Sequence, residues 1–138
     1  MFSIFQKKYF LKDFLEGFTD IHNHVLPGID DGAADLETSL DLVHGLKNLG
    51  IKEFIATPHI MNDYYPNNKE TIENALFSLQ EELKKIDDSI KIRAAAEYIM
   101  DQSFLELLEE GDLLCLKNNY VLVEMSYFQP PINLKEII

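Results

Sequence analysis

Three stretches of the chain carry apolar residues at the spacing of an α-helix. The first begins after Asp35, and its apolar positions are Leu36, Leu40, Val43, Leu46 and Leu49. Gly50 then stands where a helix C-cap is expected. The second follows a possible cap at Asn67 or Asn68, and its apolar positions are Ile72, Ala75, Leu76, Leu79, Leu83 and Ile86. The third, 103–110, closes at Gly111. The pattern predicts three helices.

Four short segments between these helices have the composition of strands. The first, 18–25, alternates polar residues with apolar or β-prone ones before a turn at Pro27 and Gly28. The other three are the short apolar runs 52–57, 90–97 and 120–125. Strands that alternate with helices are typical of a parallel sheet or barrel. The predicted fold is therefore α/β, with about four parallel βα units.

The two ends of the chain lie outside this pattern. Residues 1–17 form a lead-in segment whose aromatic residues predict a short amphipathic helix packed on the body: Phe2, Phe5, Tyr9, Phe10 and Phe14. At the other end the sequence stops just after a helical pattern has begun at Asn133. We therefore expect the domain over 18–138 to be a fragment or a truncated product. The strand edges and apolar helix faces that a truncated domain leaves open should drive self-association or be covered by the missing part.

Charge and composition narrow the possible partners and compartments. The chain has 24 acidic and 12 basic residues, a formal net charge of -12, which repels phosphate backbones and argues against nucleic acid as a partner. Its apolar runs are much shorter than the roughly 20 residues that span a bilayer. The single cysteine, Cys115, cannot form an internal disulfide, which suits a reducing compartment. We expect a cytoplasmic protein with no membrane span.

Candidate metal ligands stand at or just after the carboxyl ends of the predicted strands, where parallel α/β folds place their sites. They are His22, His24, His59, Glu97 and Glu124. Residues two apart on a strand point the same way, so His22 and His24 could bind one ion. Such a pair alone is a weak signal, because a buried or surface pair without a metal is the commoner case. The weight comes from four successive strands that each bring a histidine or glutamate to the same edge.

The two glutamates strengthen the metal hypothesis. Glu97 follows three alanines, and Glu124 follows the apolar run 121–123. A carboxylate buried without a partner is costly, so cations are expected nearby. A salt bridge would be the alternative, but Arg93 is one of few basic residues close by in the sequence.

The turn after the first predicted strand carries two adjacent acids, Asp30 and Asp31. One of them is expected to be a ligand, and for either one an Asx turn or a helix cap is the alternative. Spacing does not choose between them. Mixed imidazole and carboxylate ligation suits Mn²⁺, Fe or Zn²⁺. Several such ions would activate water and neutralise the charge on a phosphoryl group.

Four segments together resemble a known family. They read DIHNHVLPGIDDG at 20–32, TPH at 57–59, AAE at 95–97 and VEMS at 123–126. In order and spacing they resemble the first four motifs of the PHP-family bacterial manganese-dependent protein tyrosine phosphatases of capsular and exopolysaccharide synthesis. The resemblance implies a distorted (β/α)₇ barrel related to TIM barrels, of which this chain would hold the N-terminal half. Family members continue past the matched region with further ligand motifs that are absent from this sequence.

The resemblance also implies a ligand set for up to three Mn²⁺ ions: His22, His24, Asp31, His59, Glu97 and Glu124. In this arrangement Glu97 joins the first and second ions, and Asp31 with His59 holds the third. The resemblance thus prefers Asp31 to Asp30, and it assigns catalytic roles to Glu97, Asp31 and His59. The implied reaction is hydrolysis of phosphotyrosine on a protein, for example a bacterial tyrosine kinase.

Tyr64 and Tyr65 follow His59 and could form the wall of a substrate pocket, because aromatic faces suit a phosphotyrosine ring. An ordinary surface loop is the alternative.

Two other functions remain open on the sequence alone. One is a different PHP-type phosphoesterase, such as a histidinol phosphatase, and the other is a non-catalytic half-domain that only binds metal.

Overall fold

Parallel strands alternate with helices along the chain. The computed structural model describes residues 8–132 and 134–137. The elements are β1 Thr19–Asp20, α1 Leu36–Asn48, β2 Glu53–Ala56, β3 His59–Ile60, α2 Lys69–Ile86, β4 Lys91–Ala94, β5 Glu97–Ile99, α3 Gln102–Glu110, β6 Leu122–Glu124 and α4 Leu134–Ile137. This alternation confirms the predicted α/β class. The predictions for Phe2, Phe5 and Asn133 lie outside the described residues.

In the described part of the chain the strands form two parallel sheets, in the orders β1-β2-β4 and β3-β5-β6. In the second sheet His59 is paired with Glu97, and Ile99 with Glu124. The second sheet continues the first, because the Glu97 amide still donates to the Pro58 carbonyl at 3.0 Å. This register brings three of the predicted ligands onto neighbouring strands.

The strands differ from the prediction where they approach these ligands. The segment 18–25 is a strand only over Thr19–Asp20, so His22 and His24 lie after β1 and the strand-alternation argument for them is wrong. Here the Thr57 amide donates to the Asn23 carbonyl at 2.9 Å, and side-chain hydrogen bonds supply the other links between the two segments. The Asn23 amide donates to Thr57 Oγ1 at 3.1 Å, and Asn23 Nδ2 donates to the Ile55 carbonyl at 3.2 Å.

The second predicted strand, 52–57, ends before Pro58 as expected, but a further strand follows it, and the third predicted strand is divided in two. Pro58 has no amide N–H to donate to a ladder, and β2 ends before it while His59 begins β3. The third strand is divided at Ala95 and Ala96, so Glu97 begins β5 and does not end a strand as predicted.

The three predicted helices are confirmed, and their ends have a local cause. The Asp35 carboxylate accepts from the Thr38 amide at 2.8 Å at the start of α1, and Asn68 Oδ1 accepts from the Thr71 amide at 3.0 Å at the start of α2. Gly111 ends α3 with a φ of 71°, in the left-handed region that glycine adopts easily. The apolar faces of α1 and α2 cover the first sheet with a buried set that includes Val43, Phe54, Ile72, Leu79, Leu83 and Ile92.

The lead-in segment does not form the predicted amphipathic helix in its described part. It contains a four-residue 3₁₀ turn, Leu11–Phe14. The side chains of Tyr9, Phe10 and Phe14 are exposed, so these three do not pack on the body as expected.

Two further observations bear on the expected compartment. None of the helices in the described residues has the length and apolar character that crossing a membrane requires. Cys115 is a free, half-buried cysteine. The cytoplasmic location stays a prediction.

Candidate metal centre

The six predicted ligands line one cavity of about 470 Å³. Its wall is formed by His22, His24, Asp31, His59, Met61, Tyr64, Tyr65, Glu97, Glu124 and Tyr127. The histidines and acids come from the segment after β1, the turn that follows it, and the strands β3, β5 and β6. Residues up to about a hundred positions apart in the sequence are therefore neighbours, because parallel strands end at a common edge.

Glu97 lies at the centre of the cluster. Its side chain is only 7% exposed, and its Oε2 atom lies 3.1 Å from His22 Nε2, 3.2 Å from His24 Nε2 and 3.6 Å from His59 Nδ1. Two ligand atoms that each lie about 2.1 Å from one ion are separated by about 3.0 to 3.4 Å at octahedral or tetrahedral angles. The spacing of His22, His24 and Glu97 therefore fits a shared cation.

Among the residues that the structure describes, two groups offer ligand atoms that all lie within 4.8 Å of one another. One is His22, His24 and Glu97, and the other is His24, Asp31 and His59. In the second group Asp31 Oδ1 lies 3.5 Å from His59 Nε2 and 4.0 Å from His24 Nδ1. His24 belongs to both groups, so its ring orientation matters for the whole site.

Glu124 approaches the cluster from β6. Its Oε1 atom lies 3.2 Å from His59 Nδ1, yet both atoms are buried and neither makes a hydrogen bond within the described residues. Buried polar atoms without a partner are rare in proteins. A cation beside them would satisfy both, which fits the metal hypothesis.

The charge balance of the cavity favours the same interpretation. Asp31, Glu97 and Glu124 place three carboxylates here, and within the described ranges no lysine or arginine nitrogen lies within ion-pair distance of any of them. Arg93, the basic residue considered as an alternative partner, donates to the Leu116 carbonyl oxygen. Among the described residues, the ion-pair partners of these three acids are histidines.

The two acids of the turn have different surroundings, a distinction that sequence spacing left open. Asp31 is 60% exposed and faces His59, as the resemblance implied for a ligand. The side chain of Asp30 is 0% exposed, and it accepts hydrogen bonds from His24 Nδ1 at 2.8 Å, the Gly32 amide at 3.0 Å and the His59 amide at 3.2 Å.

These contacts shift the proton affinities of both partners. The hydrogen bond with Asp30 raises the pKa of His24 above its ordinary value, and burial opposes this with less effect. For Asp30 the largest single influence is burial, which acts to raise the pKa. The hydrogen bond from His24, the one from the Gly32 amide, the charge of His24 and the bond from the His59 amide together outweigh it, so the pKa of Asp30 is lowered.

Asn67 is a second residue whose part the sequence did not reveal. It was one of two possible caps for α2, but Asn68 is the cap. The Asn67 side chain instead donates to the carbonyl oxygens of Ile29 at 2.8 Å and His59 at 2.9 Å. It thereby ties the turn before Asp30 to the strand that carries His59.

Both tyrosines predicted for a substrate pocket line the cavity. The Tyr65 ring stacks on the His59 ring, with centroids 5.5 Å apart and an interplanar angle of 14°. The Tyr64 side chain is exposed at the mouth. The Met61 amide donates to the Tyr65 carbonyl at 2.9 Å, which closes the loop that carries both rings.

Comparison with known proteins places this chain in a family. The model of the capsular polysaccharide synthesis family CpsB/CapC matches residues 18–138. The chain belongs to the CpsB/CapC family. This confirms the resemblance to the capsular branch of the tyrosine phosphatases.

Two curated relatives of this chain are named tyrosine phosphatases. The chain is 32% identical over 113 residues to the tyrosine-protein phosphatase YwqE of Bacillus subtilis (strain 168), covering 81% of this chain and 44% of that protein. It is 28% identical over 108 residues to the tyrosine-protein phosphatase CpsB of Streptococcus pneumoniae, covering 78% of this chain and 44% of that protein. The chain thus spans less than half the length of these curated relatives.

A solved structure agrees with the fold. A chain from the crystal structures of YwqE from Bacillus subtilis and CpsB from Streptococcus pneumoniae, described as unique metal-dependent tyrosine phosphatases, superposes with a TM-score of 0.78 at 29% identity. The match covers 87% of this chain and 49% of the other. The parallel α/β arrangement seen here therefore occurs in a metal-dependent phosphatase.

Proposed function

We propose that this chain supplies the N-terminal, metal-binding half of a metal-dependent protein tyrosine phosphatase site. The observation that carries the proposal is the Glu97 carboxylate, which is buried with one oxygen within 3.6 Å of three imidazole rings. The kinship with proteins named tyrosine phosphatases supports the reaction type. The proposed fold is a PHP-type barrel, of which β1 to β6 form one part.

The ligands proposed for the metal centre are His22, His24, Asp31, His59, Glu97 and Glu124. We propose Mn²⁺ as the resident metal, in up to three sites, with Fe or Zn²⁺ as alternatives that this donor set also suits. Divalent ions bound there would supply activated water and a positive field for the phosphoryl oxygens.

The protein's own residues prepare this cavity for an aromatic phosphate ester. Tyr65 holds the His59 ring by stacking, and Tyr64 offers an exposed aromatic face at the mouth for the ring of phosphotyrosine. The carboxylates of Asp31, Glu97 and Glu124 would repel a phosphate by themselves. Substrate binding should therefore depend on prior loading of the site with cations. A phosphotyrosine-bearing protein, such as a bacterial tyrosine kinase, is the proposed partner.

The proposal is tested first by metal binding. Wild-type protein, Glu97→Gln and His44→Gln are each incubated with Mn²⁺, desalted and subjected to elemental analysis. Glu97→Gln keeps the shape of the side chain but removes the negative charge beside three ligands, so its metal content should fall by more than one ion per chain. His44 lies on α1 outside the cavity, and its substitution should leave the metal content unchanged. A wild-type chain that retained no Mn, Fe or Zn would refute the metal centre.

Substrate class is tested separately with three phosphate esters. A phosphotyrosine peptide, a phosphoserine peptide and histidinol phosphate are offered to the Mn²⁺-loaded chain and to Glu97→Gln. Hydrolysis of the phosphotyrosine peptide that drops by orders of magnitude in Glu97→Gln supports the proposal. Preference for histidinol phosphate supports the other PHP-type phosphoesterase. Metal binding without turnover of any ester supports a non-catalytic metal-binding half-domain.

A further inference from the structure

We propose that Asp30 is a positioning residue that sets the tautomer and orientation of the His24 ring for metal binding. The inference rests on the proposed metal centre, because its consequence is the affinity of that centre. The alternative is that Asp30 only stabilises the turn between β1 and α1.

The contacts of Asp30 go beyond those that a turn requires. Its Oδ1 atom accepts from the Gly32 amide two residues on, which is the local bond of an Asx turn. Its Oδ2 atom accepts instead from two groups outside the turn, the His24 ring at 2.8 Å and the His59 amide at 3.2 Å. The buried Asp30 carboxylate therefore joins the turn, the His24 ring and the strand that carries His59.

The bond to His24 determines which ring nitrogen is free. A carboxylate only accepts hydrogen bonds, so His24 Nδ1 must carry the proton that it donates to Asp30. In the neutral ring the other nitrogen, Nε2, then keeps its lone pair. His24 Nε2 lies 3.2 Å from Glu97 Oε2, on the side of the first ligand group. Carboxylates that orient metal-binding histidines in this way are common partners of metal sites.

Asp30 and Asp31 therefore divide two tasks between adjacent positions. Asp31 is exposed and lies 3.5 Å from His59 Nε2, a position suited to a ligand. Asp30 has no exposed side-chain surface, and its oxygens are already engaged with N–H donors. It acts through His24 and does not itself line the cavity.

The tautomer is measured directly on the metal-free, folded chain. Long-range proton-nitrogen correlation of ¹⁵N-labelled protein, at a pH high enough for neutral imidazole, identifies the protonated nitrogen of His24. Wild type should carry the proton on Nδ1. Asp30→Asn can either accept from or donate to the ring, so the preference for Nδ1–H should weaken. A wild-type ring protonated mainly on Nε2 would overturn the proposal.

Metal affinity gives the second measurement, by calorimetric titration with Mn²⁺. Asp30→Asn should bind Mn²⁺ about 10- to 100-fold more weakly than wild type, the loss typical when such an orienting partner is removed. Asp35→Asn is the matched control, because it makes the same chemical change at a helix cap outside the cavity, and it should bind like wild type. Asp30→Asn that kept both wild-type affinity and the wild-type tautomer would refute the role of Asp30.

The two measurements separate this inference from the proposed function. If the wild-type chain bound no Mn²⁺, the metal centre would fail, yet the tautomer of His24 would still decide the role of Asp30. If wild type bound Mn²⁺ and its His24 carried the proton on Nε2, the centre would stand and the inference would fall. The unfolding midpoint of metal-free Asp30→Asn shows whether the variant still folds. It thereby separates metal binding lost through unfolding from metal binding lost through a misoriented His24 ring.

Discussion

Gly32 places a tight limit on the turn that brings Asp30 and Asp31 to the metal centre. A β-carbon at this position would lie 2.0 Å from the His24 carbonyl oxygen and 2.4 Å from the His24 β-carbon. No side chain can occupy that space without moving His24. The sequence motif contains this glycine, but the requirement for glycine at position 32 is explained only by the close approach of two backbone segments.

We therefore expect Gly32→Ala to damage the site through His24. The Mn²⁺ affinity should fall at least about tenfold, as for other changes that misorient a ligand, because the displaced backbone carries the ring away from Glu97. Titration calorimetry with Mn²⁺ measures the effect.

Gly45→Ala is the matched control for this prediction. A β-carbon on Gly45 would meet no atom within 4 Å, and the residue lies inside α1. Alanine there should stabilise the fold by about 0.5 to 1 kcal/mol and leave Mn²⁺ binding unchanged. Equal metal affinities for the two alanine variants would contradict the steric argument.

At the scale of elements, the start of α1 depends on one titratable cap. Asp35 accepts from the Thr38 amide and from Thr38 Oγ1, both at 2.8 Å. The bond from the Thr38 amide is the main cause that lowers the pKa of Asp35, and the bond from its hydroxyl adds to this. The cap therefore binds best when its carboxylate is ionised.

This coupling predicts how the stability of the fold depends on pH. A lowered pKa means that the contribution of Asp35 is complete above the unfolded-state value of about 3.9 and is lost as the pH falls through the folded-state value. Asn also caps helices but does not titrate in this range. Below about pH 4 the unfolding midpoint of wild type should therefore fall relative to that of Asp35→Asn. The effect should be small, since Asp35 is exposed to solvent. A difference that did not change with pH would contradict the prediction.

At the scale of the whole molecule, the first sheet leaves an open apolar face. A cavity of about 610 Å³ lies on it, and its lining includes Ile21, Ile55 and Tyr120. Ile21 and Tyr120 are exposed, as are Val123 and Met125 on and after β6. Exposed apolar patches of this kind mark surfaces that associate with other protein.

We expect the 138-residue chain to self-associate at micromolar concentration through this face. Light scattering coupled to size-exclusion chromatography measures the mass. Ile21→Asp places a charge in the open face and should shift the chain toward monomer. Phe77→Asp changes an exposed residue of α2 outside that cavity and should not. A wild-type chain that is monomeric and well folded would refute the prediction.

Much of the helical architecture could be predicted from sequence because its causes are local. The spacing of the apolar residues in α1 and α2 sets which helix face is buried. Asp35 and Asn68 each cap their helix by accepting a hydrogen bond from an amide only three positions away. The strand ends were less accurate. The strand that restarts at His59 depends on its pairing with β5, and after the short β1 Asn23 contacts Ile55 and Thr57 from a distant part of the sequence.

The candidate ligands themselves were also visible in the sequence, since strand ends of an α/β fold meet at one edge. All six line one cavity in the structure. The sequence could not decide what each acid does there. Asp30 finds its partners 6 residues back at His24 and 29 residues on at His59, so its role exists only once the turn and β3 are in contact. The sequence determined which groups reach the cavity, and the tertiary structure decided which acid is buried against His24 and which is exposed beside His59, because these partners are brought together only by folding.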